Sequence, residues 1–279
     1  MVKKIWAVSF SPAGGTKQVT EGIAKRIGES LGLPVECVDF TLPGARERDY
    51  VFSETDLVIA GTPVYAGRVP NKIMPDWKRC LEGNGAFAAA VCTYGNRSFG
   101  GTLTELHLIL QQKGFRVLGT AAAVCQHVFS GLVGTGRPDA ADREELDGFA
   151  DGLAALLRTD KAPEPMLLKE GTEPESYYTP LKEDGTPARF LKAKPVTDME
   201  TCDGCGRCTA VCPMGSIDRT DPGLVSGICI KCQACILHCP RHAKYFTDED
   251  FLSHVRMLEK TLQFTAASND CCLAGETLT

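Results

Sequence analysis

Eight of the fourteen cysteines in this 279-residue chain fall into two copies of one pattern: Cys202, Cys205, Cys208 and Cys212-Pro213, then Cys229, Cys232, Cys235 and Cys239-Pro240. Each position of the second copy lies 27 residues after its counterpart. Three cysteines at two-residue intervals turn their sulfurs around three corners of one iron-sulfur cubane. The fourth opens a new segment three residues later and points toward a neighbouring cubane. The spacing therefore assigns Cys202, Cys205, Cys208 and Cys239 to one [4Fe-4S] cluster, and Cys229, Cys232, Cys235 and Cys212 to a second. The proline after each fourth cysteine fixes φ and removes a donor, steering the chain out of the cluster loop. Zinc is the competing metal, but its cysteine quartets usually come as separated CxxC pairs.

The repeat, residues 196–247, occupies about a fifth of the chain. So small a module lacks a large apolar core, and the clusters are expected to supply much of its folding free energy. Between the copies, residues 216–226 carry an Asp221-Pro222-Gly223 turn that suits a hairpin. A 43% hydrophobic content leaves room for one ordinary domain ahead of it. No apolar run approaches the roughly twenty residues needed to span a bilayer, and the N-terminus MVKKIWAVSF lacks a signal peptide's long apolar stretch. The expectation is a cytoplasmic protein of a low-oxygen cell, with reduced thiolates rather than a disulfide framework. Residues 1–158 hold 17 Lys and Arg against 17 Asp and Glu; residues 159–279 hold 13 against 18. No basic stripe suggests nucleic acid. The acidic second half suits docking to basic patches on redox proteins, although a solvated surface explains it equally. The expected partners are thus redox proteins, with no nucleic acid and no membrane insertion; a homodimer stays open.

In the first half, apolar runs at residues 4–10, 35–40, 56–64, 86–93 and 115–125 read as strands. Helices are expected at 16–31, 71–81, 101–113 and 139–157. In the first helix Val19, Ile23, Ile27 and Leu31 recur every fourth residue and so share one face. Such alternation predicts an α/β domain over residues 1–158, a doubly wound five-stranded parallel sheet of the flavodoxin-like type. Its ligand would sit outside the carboxyl ends of the strands. Residues 159–195, rich in Pro, Glu, Lys and Gly, read as an extended linker, with Tyr177, Tyr178, Phe190 and Leu191 placed to pin it against a domain. Residues 196–247 form a small α+β, ferredoxin-like iron-sulfur domain. Residues 248–264 suit a C-terminal helix, followed by a loose tail to residue 279.

Three loops at the sheet's carboxyl edge carry a further pattern. Ser11-Pro12-Ala13-Gly14-Gly15-Thr16 joins the first strand to the first helix, and resembles the flavodoxin loop that surrounds the FMN phosphate with hydroxyls and backbone N–H groups. Ala13 departs from that pattern, since it cannot donate. Thr62-Pro63-Val64-Tyr65 follows the third strand and Thr93-Tyr94-Gly95-Asn96-Arg97 with Phe99 follows the fourth; in flavodoxin-like proteins these positions hold the isoalloxazine ring. The resemblance offers Tyr65, Tyr94 or Phe99 for stacking and Asn96 for the ring edge. The alternative is a pair of turn-rich loops whose aromatics cap the core.

The chain as a whole, over residues 1–247, resembles two-domain flavodoxin-ferredoxin fusion proteins of anaerobic bacteria. Ser216-Ile217 and Ala243-Lys244-Tyr245 after the two Cys-Pro pairs sit where two-cluster ferredoxins carry small and then apolar or aromatic residues. The run His127-Val128-Phe129-Ser130 and then Gly136-Arg137-Pro138-Asp139 also matches the fusion family; His127 reads as a structural histidine, because no acid or nucleophile accompanies it. The resemblance implies two [4Fe-4S] clusters and one FMN, and electron transfer between them that links two-electron and one-electron partners. Two other readings stay open: a flavin-dependent reductase of a small molecule fed by the clusters, and a redox or oxygen sensor. With no GxGxxG fingerprint, a nicotinamide would have to react at an open flavin. Cys37, Cys80, Cys92 and Cys125 are expected to be buried. Cys271-Cys272 reads as an inert tail pair, and His238 and His242 as exposed loop residues.

Overall fold

The computed structural model describes residues 1–159 and 161–275. Strands β1 (Lys4–Ser9), β2 (Val35–Asp39), β3 (Asp56–Pro63), β4 (Phe87–Tyr94) and β5 (Arg116–Val124) run parallel in the order β2-β1-β3-β4-β5. That is the doubly wound order expected of a flavodoxin-like sheet. A parallel sheet is covered on both faces, and β4 is accordingly buried along its whole length.

Alternation along the strands separates two cores. Ile5, Ala7, Leu57, Ile59, Ala89 and Val91 face helices α1 (Gly15–Leu31) and α4 (Ala140–Leu157), meeting Val19, Ile23, Ile27, Phe149 and Leu153. Their neighbours Val8, Val58, Ala60, Ala88 and Ala90 face α2 (Met74–Cys80) and α3 (Thr102–Gln112), meeting Trp77, Leu106, Ile109 and Leu110. Helix α1 crosses β3 so closely that a Cβ at Gly61 would stand 2.0 Å from the Thr20 hydroxyl. Only glycine lets them pack at that distance.

The iron-sulfur module is built from β6 (Val196–Thr197), short helices α5 (Arg207–Ala210) and α6 (Ala234–Leu237), and β7 (Lys244–Tyr245), which pairs antiparallel with β6. The repeat survives in the backbone. Gly204, Gly206 and Gly215 have φ of 72°, 70° and 58°, and the residues 27 positions later, Lys231, Gln233 and His242, have 57°, 63° and 53°. The second copy thus holds three ordinary residues in a left-handed conformation that costs them roughly 1–2 kcal/mol each. Residues 216–226 turn back as a hairpin, with Ile217 bridged to Val225 and the Asp218 N–H donating to the Leu224 carbonyl.

Two connections differ from the sequence reading or sharpen it. Helix α7 (Glu249–Leu262) forms as expected, but the tail is not loose. It continues into β8 (Asp270–Leu273), a sixth strand antiparallel to β5, with Cys271 opposite Ala121 and Cys272 opposite Thr120. The strand covers the edge that β5 would otherwise expose. Residues 276–279 of the expected tail lie outside the described residues. The linker is pinned along its length. The Met166 N–H donates to the Val117 carbonyl, the Tyr178 N–H donates to the Ala66 carbonyl, and the Phe190 ring meets Phe251 at 5.4 Å. Tyr177, Tyr178 and Phe190 all make contacts of this kind, whereas Leu191 is exposed. Phe129, Phe190, Ala193, Phe246, Phe251 and Ile236 then form one apolar cluster drawn from the first domain, the linker, the iron-sulfur module and α7. Among the described residues no helix is long and apolar enough to cross a membrane.

The buried Asn96 side chain fastens the tail: its amide N–H groups donate to the Leu262 and Thr265 carbonyls, and its oxygen accepts from the Ala267 N–H at 3.0 Å. Asn96→Ala leaves these groups without partners, at about 1–3 kcal/mol. Hydrogen exchange at the Ala267 amide is expected to accelerate by roughly tenfold or more, with exchange in β1 unchanged.

Candidate functional site

The eight repeat cysteines line two cavities. Cys212, Cys229, Cys232 and Cys235 surround one, closed by Ile217, Ile228, Phe246 and the Cys-Pro turn at Pro213. Cys202, Cys205, Cys208 and Cys239 surround the other, together with Arg207, Pro222, Arg241 and Lys244. Each quartet therefore takes three cysteines from one repeat and the fourth from the other. The fourth sulfurs are held alike: Cys212 Sγ accepts the Ser216 N–H at 3.4 Å, and Cys239 Sγ accepts the Ala243 N–H at 3.3 Å. Among the described residues no group of three or more His, Cys, Asp or Glu converges to hold a single metal ion. Four thiolate donors around a volume suit a cubane better than one tetrahedral zinc.

The two cavities are not equivalent. The Cys212 quartet is inner. Met214 and Ile230 beside it pack into the α2 and α3 core of the first domain, and the Arg46 guanidinium reaches the Pro213 carbonyl at 2.6 Å. Burial pushes the Cys232 and Cys235 thiols up to about 12 and raises Cys229 as well. Bound iron would displace these protons. The Cys202 quartet is outer, with Cys205 exposed.

The carboxyl edge of the sheet meets the inner quartet. After β3, Tyr65 and Arg68 form a two-residue hairpin, each N–H donating to the other's carbonyl, with Ala66 at φ 52° and Gly67 at φ 77°. Those two left-handed residues define the turn. Arg68 grips Glu105 of α3 through both carboxylate oxygens, at 3.0 and 2.6 Å, and stacks 4.8 Å from the Tyr177 ring. Glu105 also accepts the Val69 N–H. The hairpin so clamped points Tyr65 at the iron-sulfur module. Burial, and then negative charge at Cys232 and Cys229, raise its phenol well above the ordinary value.

The Ser11–Thr16 loop has the features of an anion cradle. Gly14 is left-handed at φ 89° and a Cβ there would meet nothing within 4 Å. The N-cap residue of helix α1, Gly14, offers no side-chain cap and the first turn holds no acidic residue, so no carboxylate offsets the partial positive charge of its N-terminal end. Ser11 Oγ accepts the Lys17 N–H at 2.9 Å, and Thr16 bonds the Thr93 hydroxyl at 2.6 Å, which fixes the loop to the end of β4. These residues fit a phosphate.

The loop after β4 is used differently from the sequence reading. Asn96 spends its side chain on the tail, as described above. The Tyr94 hydroxyl donates to the Ser268 carbonyl at 2.5 Å, and its ring packs edge-on against Phe99 at 5.5 Å. Arg97 stacks on Tyr178 at 3.6 Å. Thr62 is buried, and Pro63 and Val64 lead into the hairpin, so Tyr65 is the aromatic that faces the clusters. The sequence reading missed Arg46 and Glu105, which lie in no motif and are marked only by their burial; Lys244 it placed in the Ala243-Lys244-Tyr245 stretch, where an apolar or aromatic residue was expected rather than a buried cation. Among the other cysteines Cys80, Cys92 and Cys125 are buried as expected, but Cys37 is exposed because β2 is an edge strand. Cys272 is buried in β8, and His238 and His242 are exposed.

Two segments match the family model of a 4Fe-4S binding domain, residues 194–217 and residues 226–247. The chain joins a flavodoxin-like domain to two 4Fe-4S binding segments. No curated protein matches it. Among solved structures it is similar to a flavodoxin from the domain Archaea, at 17% identity over 56% of this chain and 99% of that one, with a TM-score of 0.40. A flavodoxin of Streptococcus pneumonia TIGR4 matches at 21% identity over 56% and 99%, TM-score 0.39. The NADH:FMN oxidoreductase EmoB in its apo form matches at 18% over 57% and 92%, TM-score 0.42. The strand order, rather than these values, carries the fold.

His127 packs edge-on against Phe129 at 5.0 Å in the seam between the domains. Burial, then the charges of His254 and Arg97, push it from 6.5 down to about 4. The folded chain holds this ring neutral where the unfolded chain would protonate it, so stability is full above pH 6.5 and is lost as the pH falls toward 4. The stability of the wild type relative to His127→Gln, from urea unfolding, is expected to decline over that window; a constant difference would mean a solvated ring.

Proposed function

We propose that this chain carries electrons between an FMN in the flavodoxin-like domain and two [4Fe-4S] clusters, in the order flavin, inner cluster, outer cluster, redox partner. The observation that carries the order is Tyr65. It stands on a loop at the sheet's ligand-binding edge, half-buried, with Cys232 and Cys229 of the inner quartet close enough to act on its phenol. FMN, when bound, supplies a two-electron centre beside two one-electron clusters.

The chain's own residues bind, orient and insulate. In the Ser11–Thr16 loop Ala13, Gly15 and Thr16 would hold the phosphate through backbone N–H groups at the start of α1; Pro12, which has no N–H, would shape the turn, Ser11 and Gly14 spend their N–H groups on Thr41 Oγ1 and the Ser11 carbonyl, and Ala13 contributes no hydroxyl. Thr62, Pro63, Val64 and Tyr65 would flank one side of the ring, and Thr93, Tyr94 and Gly95 the other. Asn96, Arg97 and Phe99 would set the shape of that second loop through their contacts with the tail and linker rather than touch the ring directly. Cys202, Cys205, Cys208 and Cys239 would ligate the outer cluster, and Cys229, Cys232, Cys235 and Cys212 the inner one. Ile217 and Phe246, both buried, would keep water from the inner cluster. The exposed edge at Cys205 suits exchange with partner proteins.

The quartets give a direct test. Anaerobically purified wild type is expected to hold about eight irons. Cys212→Ser is expected to fall to about four and to lose one cluster signal by electron paramagnetic resonance, with flavin content unchanged. The surviving signal should be abolished by Cys202→Ser and spared by Cys229→Ser. The opposite dependence would overturn the grouping.

A further inference from the structure

The internal repeat contains its own control for one residue. Lys244 lies 27 positions after Ile217, and each lines the cavity of a different quartet: Ile217 the inner, Lys244 the outer. Both are buried, at 5% and 3% exposure. A buried isoleucine needs no explanation. A buried lysine does, because an ammonium removed from water needs a compensating charge.

Its hydrogen-bond partners are neutral. Nζ donates to Thr197 Oγ1 at 2.6 Å and to the Pro222 carbonyl at 2.7 Å. Among the described residues no carboxylate forms an ion pair with it. It lines the outer cavity together with Cys202, Cys205, Cys208 and Cys239, and its charge also reaches Cys235 of the inner quartet. The other charges on the outer cavity, Asp203, Arg207 and Arg241, are exposed and therefore screened. At the inner cavity Lys194 acts on Cys229, and so does Lys231, which lines the cavity. The Lys231 ammonium lies at an exposed edge against the Leu191 and Cys229 carbonyls, with Asp248 close enough to act on it. Solvent and that carboxylate weaken its effect.

We propose that Lys244 sets the potential difference between the two clusters: its buried charge stabilises added negative charge at the outer quartet, where the repeat's other copy offers only Ile217. An electron shared between the quartets is then biased toward the outer one, the end that meets partners. A cationic group in a low-dielectric site acts over several ångströms with little screening. This inference rests on the reading that both quartets carry clusters.

The test is a potentiometric titration of the whole chain followed by electron paramagnetic resonance, with the inner cluster identified by its loss in Cys212→Ser. In the wild type the outer cluster is expected to reduce first. Lys244→Met is expected to lower the outer potential by more than the inner one. At fixed poise the ratio of reduced outer to reduced inner cluster should drop by roughly tenfold or more. Lys244→Arg, which keeps the charge, should hold the wild-type order. Where Lys244→Met does not retain iron, Lys244→Gln, whose amide can still donate to Pro222, replaces it with the same expected shift. An outer cluster that reduces second in the wild type, or a neutral variant with unchanged potentials, overturns the proposal. A wild-type chain without about eight irons would instead overturn the underlying cluster reading.

Discussion

The arrangement depends on one buried guanidinium. Arg46, only 6% exposed, sits in the turn after β2, pairs with Asp76 at 2.8 Å and donates to the Phe40 and Thr41 carbonyls of its own domain. Its remaining nitrogen crosses to the Pro213 carbonyl, beside the cysteine that the first repeat lends to the inner quartet. A guanidinium removed from water needs all its donors satisfied, so moving the Cys212-Pro213 turn leaves a buried Arg46 N–H without its acceptor. The carboxyl edge of the sheet and the inner quartet are thereby held face to face. Tyr65 comes to lie half-buried beside the inner quartet as a consequence.

A second set of contacts closes the opposite side. The linker runs back over the sheet, Arg68 stacks on Tyr177 and Arg97 on Tyr178, and α7 places Phe251 against Phe129, Phe190 and Phe246. The tail then returns to the first domain as β8, where Asn269 accepts the Val124 N–H and donates to Asp142 and Glu145. A chain that leaves the flavodoxin-like domain at α4 and comes back as a sixth strand cannot swing its iron-sulfur module freely. A tether alone would give only a high effective concentration; here the module is fixed in one pose.

The sheet was legible because β3 and β4 are long apolar runs and because α1 repeats its apolar residues every fourth position. The grouping of Cys212 with the second repeat could be read from spacing, since a cubane imposes its own geometry on the ligands; the same four cysteines line one cavity. Strand β8 was not legible. Its four residues, Asp270 to Leu273, are too few for a period, and they form a strand only because β5 supplies an open edge. Cys37 was misread as buried because strand pattern does not reveal that β2 is an edge. Asn96 sits where a flavin-edge donor was expected, but its amide is committed to a segment 166 to 171 residues away. Arg46 and Pro213, 167 residues apart, are joined by tertiary packing that no local pattern encodes.

Whether a flavin and two clusters act as one electron-carrying unit is measured most directly by the number of electrons that the anaerobic, fully oxidised chain accepts in a reductive titration followed by its visible spectrum. A two-electron flavin and two one-electron clusters predict about four per chain, with the flavin and cluster absorbances both bleaching. Uptake of about two, with no flavin bleaching, would contradict the account and leave the flavodoxin-like domain as a docking scaffold for the clusters alone.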